Sequence, residues 1–205
     1  MSIETTDAAP RRPYRKRQRA EQEERTRERI AAATADLHGS VGPSRTTVSA
    51  IAERAGVQRA TVYRHFPTDE ALFEACTAHF YARHPLPDAA TWTHISDPTK
   101  RLRRALTELY GWFEETEDML ANVTRDAAYT PEAPRERFRS YFEHVRATLM
   151  AGRKERGRAR ERIAAGIGHA ITFPTWRSLV REQGLEHGEA VKVMVSMVGR
   201  AGAAK

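Results

Sequence analysis

Apolar residues recur at spacings of three and four along nearly the whole chain, with no sustained period-two run flanked by turn residues. This pattern predicts helices almost throughout and an all-α fold. The stripe Ile30, Ala33, Thr34 and Leu37 predicts a first helix over residues 21–37, with Gly39 and Gly42 beyond its end. Thr47 is a suitable N-cap for a short helix carrying Val48, Ile51, Ala52 and Ala55 on one face, and Gly56 then turns the chain. A third helix of about eight residues covers 58–65, with Val62 and Phe66 inward, and Pro67 ends it. Thr68 caps a fourth helix whose first turn, with Asp69 and Glu70, suits the positive end of the helix dipole.

Pro85 and Pro87 mark residues 84–97 as a connection between two regions. Beyond it, Asp97 followed by Pro98 is a helix start, and Leu102, Leu106, Leu109 and Phe113 continue the stripe. Thr116 is expected to cap the next helix, which carries Met119, Leu120 and Val123. After a break at 129–134, Phe138, Tyr141, Phe142, Val145 and Leu149 line another helix, and a basic linker covers 152–157. Two final helices are expected over 159–183, kinked near Pro174, and over 187–200. The resulting division is an unstructured basic arm at 1–20, a helix-turn-helix domain at 21–83 and a larger helical bundle at 84–205.

Composition narrows the classes. With 205 residues, 40% hydrophobic and 30% charged, the chain reads as a soluble globular protein of one large or two small domains. Residues 163–176 carry no Asp, Glu, Lys or Arg, but they are 14 residues with Pro174 inside, against the ~20 that a bilayer span needs. No apolar run follows the basic residues at 11–19, so a cytoplasmic location is expected. The single Cys76 excludes an intrachain disulfide and a zinc site built on paired thiolates. Neither Gly-x-Ser-x-Gly, nor a phosphate-binding glycine loop, nor His-Glu-x-x-His is present, and His79 and His84 are five apart, off a shared helix face. No enzyme, cofactor or metal is expected. The net charge of +7 is spread over both halves and concentrated locally, with six basic and no acidic residues at 11–19.

The decisive motif is two short helices around Gly56, the length and punctuation of a helix-turn-helix. In that arrangement the first helix braces against phosphate while the second enters the major groove. The outward positions of the second helix, Gln58, Arg59, Ala60, Thr61, Tyr63, Arg64 and His65, include many donors and no carboxylate that would repel phosphate. The segment from Ile51 through Ala-Glu-Arg-Ala-Gly to Val57, then Thr61-Val-Tyr-Arg-His-Phe66, then Glu70-Ala-Leu72, resembles the TetR family of bacterial transcriptional regulators over about residues 25–80. The resemblance implies a three-helix DNA-binding domain and a helical domain that dimerises and often binds a small effector. It also implies a palindromic double-stranded operator.

By the same resemblance Thr47, Tyr63 and His65 fall at backbone-contact positions, and Arg59, Ala60 and Thr61 at base-reading ones. Chemically, Arg59 suits a bidentate contact with guanine, and the Ala60 or Thr61 methyl a thymine methyl. The chain departs from the family at Asp69, where a phosphate-touching lysine is usual. The arm with Arg15, Lys16 and Arg17 either compensates along phosphates or the minor groove, or is a solubilising tail.

In the bundle, an apolar effector pocket is expected among Trp112, Asn122, Phe138, Tyr141, His144, His169 and Phe173, the competing reading being plain core. Gly166 and Gly168 sit inside a helix, where glycine costs up to ~1 kcal/mol, which calls for a close helix approach. The expectation is a homodimer through Ile163, Gly166, Ile167, Ala170, Val191, Met194, Val195 and Val198, against the alternative of a tight crossing within one chain. Function is thereby expected to be effector-released, sequence-specific DNA binding, repression in the manner the resemblance implies, with an effector-free DNA-binding dimer as the alternative.

Overall fold

A computed structural model describes residues 11–203, the side chains at 11–13, 15 and 203 excepted. Its ten α-helices are α1 (Arg11–Ser40), α2 (Val48–Ala55), α3 (Arg59–His65), α4 (Asp69–Arg83), α5 (Pro98–Glu115), α6 (Glu117–Arg125), α7 (Glu132–Met150), α8 (Gly157–Ala170), α9 (Phe173–Arg177) and α10 (His187–Ala203). Single turns at Pro43–Arg45, Ala89–Trp92 and Ala127–Tyr129, and a wider turn at Ser178–Glu182, complete the regular structure. Every regular element among the described residues is helical, so the fold is all-α.

The sequence signals place most boundaries. Thr47 and Thr68 cap α2 and α4 by accepting from the N–H groups of Ala50 and Ala71, both at 3.2 Å. Asp97 accepts from Thr99 and Lys100 N–H at 2.7 and 3.0 Å, with Pro98 in the first turn of α5. These two bonds hold the Asp97 carboxyl below its ordinary range.

Three expectations need correction. Residues 11–20 are not an unstructured arm: helix α1 reaches back to Arg11, because Arg17 pairs with Glu21, Arg19 with Glu23 and Glu21 also with Arg25, each one turn apart. Residues 1–10 lie outside the described residues. Thr116 precedes α6 but does not cap it through its side chain, since its hydroxyl donates to Trp112 O of the preceding turn at 2.6 Å. Pro174 does not kink a long helix; α8 stops at Ala170, and Pro174 occupies the first turn of α9, where its missing N–H has no partner to lose.

Two cores result. Ile30, Ala33 and Leu37 of α1 pack on Ile51, Ala52, Ala55, Val62, Phe66 and Leu72, uniting α1 to α4. The larger core gathers Trp92, Leu106, Tyr110, Phe113, Leu149, Trp176 and their neighbours from the bundle. Buried Arg101 donates to the carbonyls of Ile95, Thr148 and Ala151 at 2.7–3.1 Å, a cation set at the C-terminal end of α7.

The small residues of α8 serve this chain's own packing. Ile163, Ile167 and Ala170, with Val191, Met194, Val195 and Val198 of α10, are buried inside the bundle rather than offered to a partner. A Cβ added at Gly166 would stand 3.4 Å from Val198 Cγ2. The close approach foreseen from the glycine is therefore the α8 to α10 crossing within one chain. No helix among the described residues is long and apolar enough to cross a membrane.

Candidate nucleic-acid interface

Glycine at position 56 makes the turn between α2 and α3. It adopts φ 64° and ψ 41°, and Val57 N–H closes onto Ala52 O at 2.9 Å, the six-to-one bond that ends a helix in a left-handed cap. Helix α3 leaves this turn with Val62 and Phe66 buried. Two features hold its far end: the Arg27 guanidinium donates to His65 O at 3.0 Å and lies 4.5 Å from the centre of the Phe66 ring.

With its inner side fixed, α3 turns Gln58, Arg59, Ala60, Tyr63 and Arg64 to solvent and leaves Thr61 half-buried. Tyr63 is 49% exposed, unusual for a large aromatic side chain with no solvent-side partner, and it stands beside the two arginines on one rod. Thr47 is exposed at the start of α2; its oxygen caps the helix, and its O–H remains able to donate outward. His65 is less open, for its Nε2 is buried with no hydrogen-bond partner.

On α1, Lys16 is exposed and Arg17 spends its guanidinium on Glu21 in an open pair that solvent readily exchanges. The Arg15 side chain lies outside the described residues. Asp69 and Glu70 are exposed at the start of α4, so that corner presents carboxylates and not the lysine of the resemblance.

The bundle grips this unit through the end of α6. Asn122 donates to Gly39 O at 2.6 Å, and Arg125 donates to Val41 O at 3.0 Å. Asp126 accepts from Ser44 N–H at 3.0 Å and from the Ser44 hydroxyl at 2.7 Å. Arg125 and then Ser44 hold the Asp126 carboxyl far below the usual carboxylate range. Gly42 fits between: a Cβ there would fall 2.2 Å from the Arg125 guanidinium and 2.4 Å from the Asp126 carboxylate, and its φ of 93° disfavours any other residue. Sequence reading missed this latch because nothing in 122–126 or 39–44 announces that the two segments meet.

The residues expected to line an effector pocket do not share one cavity. Trp112 is buried and donates to His84 O at 3.0 Å; Phe173 packs against Phe113 and Trp176; Tyr141 donates to Pro87 O at 2.8 Å. His144 and His169 are exposed, and Asn122 belongs to the latch. Only Phe138 of that set reaches a cavity of about 300 Å³ that opens between α1, α4, α6 and α7, walled also by His38, Cys76, Phe80, Tyr81 and Leu120. Burial lowers the His38 imidazole to about 4 and raises the Cys76 thiol to about 12, so both stand neutral there, with Cys76 Sγ 3.6 Å from His38 Nδ1.

Residues 30–76, from the middle of α1 into α4, match the family model described as bacterial regulatory proteins, tetR family. The match covers the helix-turn-helix segment and shows a resemblance of that segment to the tetR family. The nucleoid occlusion factor SlmA of Vibrio cholerae is 26% identical to this chain over 132 residues, 63% of this chain and 67% of the relative. A TetR-like transcriptional regulator from Rhodococcus sp. RHA1 shares its fold with a TM-score of 0.60 at 21% identity, covering 88% of this chain and 97% of the other. NalD, the secondary repressor of the MexAB-OprM multidrug efflux pump in Pseudomonas aeruginosa, does so at 0.59 and 22%, with the same coverage.

Proposed function

We propose that this chain is a tetR-family transcriptional regulator, a homodimeric repressor in which two copies of α3 read the half-sites of a palindromic operator, and that a small effector releases it. The observation that carries the reading is the exposed polar side of α3, where Gln58, Arg59, Tyr63 and Arg64 stand free of carboxylates while Val62 and Phe66 anchor the helix from behind. Arg59 reads a guanine, Ala60 and Thr61 meet thymine methyls, and Thr47, Tyr63, Arg64 and His65 hold the phosphates, with Lys16 and Arg17 following the backbone from α1.

The dimer forms through the outer side of α8 and α10, not the buried side. Val193 and Met197 are 37% and 56% exposed on α10, and Ala165 is exposed on α8. Small residues permit close approach of a twofold mate, and the two apolar side chains gain from being covered. Selection of bound sequences from random DNA tests the whole reading. A recovered site with twofold symmetry and half-sites one or more helical turns of ~34–36 Å apart is expected; an asymmetric consensus, or none, refutes it.

Solid packing around Trp112 and Phe173 favours a second reading, a DNA-binding dimer without effector control. Full DNA affinity in the presence of every compound that raises the melting temperature would establish that alternative.

A further inference from the structure

Resting on the reading of the chain as a DNA-binding regulator, we propose that the end of the bundle remote from α3 is a second, sequence-independent DNA surface. It holds the phosphates of another duplex segment while α3 reads the first. Its centre is the turn between α7 and α8 together with the first turn of α8, where Lys154, Arg156, Arg158 and Arg160 are all exposed. Among the described residues none of these four makes an ion pair or a side-chain hydrogen bond, whereas Arg135, Arg137 and Arg139 of α7 each pair with a glutamate. Residues 151–160 hold five basic side chains against the single Glu155, whose Oε2 is buried. Of the nearby carboxylates, Glu161 is exposed on α8 and Asp97 is engaged in capping α5. Helix α8 also starts with no acidic residue in its first turn and no side-chain cap, so its positive end adds to the cations instead of offsetting them. Such crowding of like charge is unfavourable in the free chain, and an anion relieves it.

The helices of the bundle carry this surface away from α3. The C-terminal end of α5 meets the DNA-binding unit where Trp112 Nε1 donates to His84 O at 3.0 Å, and the N-terminal end of α7 meets it where Arg137 pairs with Glu74 at 2.7 Å. Their opposite ends lie at the basic turn: Arg101 of α5 donates to the carbonyls of Thr148 and Ala151, and Arg153 to Pro98 O at 3.4 Å. The end of α10 joins them, since Arg162 donates to Ala201 O at 2.8 Å. Helix α5 has 18 residues, so about 27 Å separates the two ends. Helix α3 stands off further, tied to Arg27 and not to the Gly39 end of α1 that α6 holds. The chemistry of the surface selects the occupant. Residues 151–160 carry no aromatic side chain and no aliphatic one larger than alanine, so nothing there enters a bilayer or forms the apolar centre of a protein contact. Guanidinium groups pair bidentately with phosphate, and a duplex offers phosphates closely and evenly spaced whatever its sequence.

The test uses the full chain bound to a surface-held duplex that carries a site recovered by selection, and reads capture of a second, labelled duplex lacking that site. The unaltered chain should capture it, more strongly as salt is lowered. Arg156→Gln with Arg158→Gln should hold the selected site with unchanged affinity yet capture the second duplex roughly tenfold less, with the salt slope of capture lower by about two. Arg83→Gln with Arg177→Gln, the same loss of charge at two exposed positions elsewhere, should capture as the unaltered chain does. No capture by the unaltered chain, undiminished capture by Arg156→Gln with Arg158→Gln, or an equal loss in Arg83→Gln with Arg177→Gln each overturns the surface. Uptake of phosphatidylserine vesicles or of polyglutamate, with none of the second duplex, assigns this end to a membrane or an acidic protein and overturns the DNA proposal. If selection recovers no site, capture of plain duplex that is lost in Arg156→Gln with Arg158→Gln sinks the regulator reading and leaves the surface standing.

Discussion

Single side chains divide by how far their role depends on a neighbour. Arg59 needs only a short amphipathic helix to be outward, and Gln58, Tyr63 and Arg64 were legible for the same reason. Replacing Arg59 with alanine should cost about 1–3 kcal/mol of discrimination between the selected site and a single-base variant of it, whereas Lys16→Ala should weaken all sequences alike and lower the salt slope by roughly one. Competition binding across a salt series reads both, and an equal loss on every sequence for Arg59→Ala would contradict its reading role. His38 is a different case, invisible as a buried base until α1, α4 and α6 are packed. It is 4% exposed, and burial lowers it from 6.5 to about 4. The unfolded chain takes up a proton below 6.5 that the folded chain refuses, so stability is whole above that pH and falls as pH drops toward about 4. The loss is on the order of 3 kcal/mol, and denaturant midpoints for His38→Phe should stay flatter over that window.

Helix ends and crossings carry the next set of consequences. Gly56→Ala puts a Cβ into open space, yet its φ of 64° makes the residue strained, so the cost is conformational of about 1–2 kcal/mol. Urea unfolding should show that loss with an unchanged slope. Gly166 tests the crossing of α8 with α10: leucine there overpacks against Val198 and should destabilise by about 1–3 kcal/mol, independent of protein concentration because the contact is internal. A concentration-dependent midpoint would return Gly166 to an intermolecular interface. The caps at Thr47, Thr68 and Asp97 were legible since they depend on three or four consecutive residues. The start of α1 was not, because proline and charge density in 1–20 suggest an arm, and only the one-turn Arg and Glu pairs argue for helix.

Taken whole, the molecule is two cores joined by a latch. Met197→Glu places a charge in the proposed twofold contact and should yield a monomer by sedimentation with much weaker operator binding, while its melting curve stays cooperative; a dimer that persists would place the interface elsewhere. The amino-acid order alone determined the all-helical architecture, the helix-turn-helix and its outward donors. Each follows from 3.6-residue periodicity, a glycine turn and caps, all of which act within a few residues. Packing decided which face of α8 and α10 is core, where the cavity lies, and that Asn122, Arg125 and Asp126 grip Gly39, Val41 and Ser44. Those outcomes depend on contacts between segments some 80 positions apart, which no local spacing encodes, since an apolar stripe states that it must be covered but not by what.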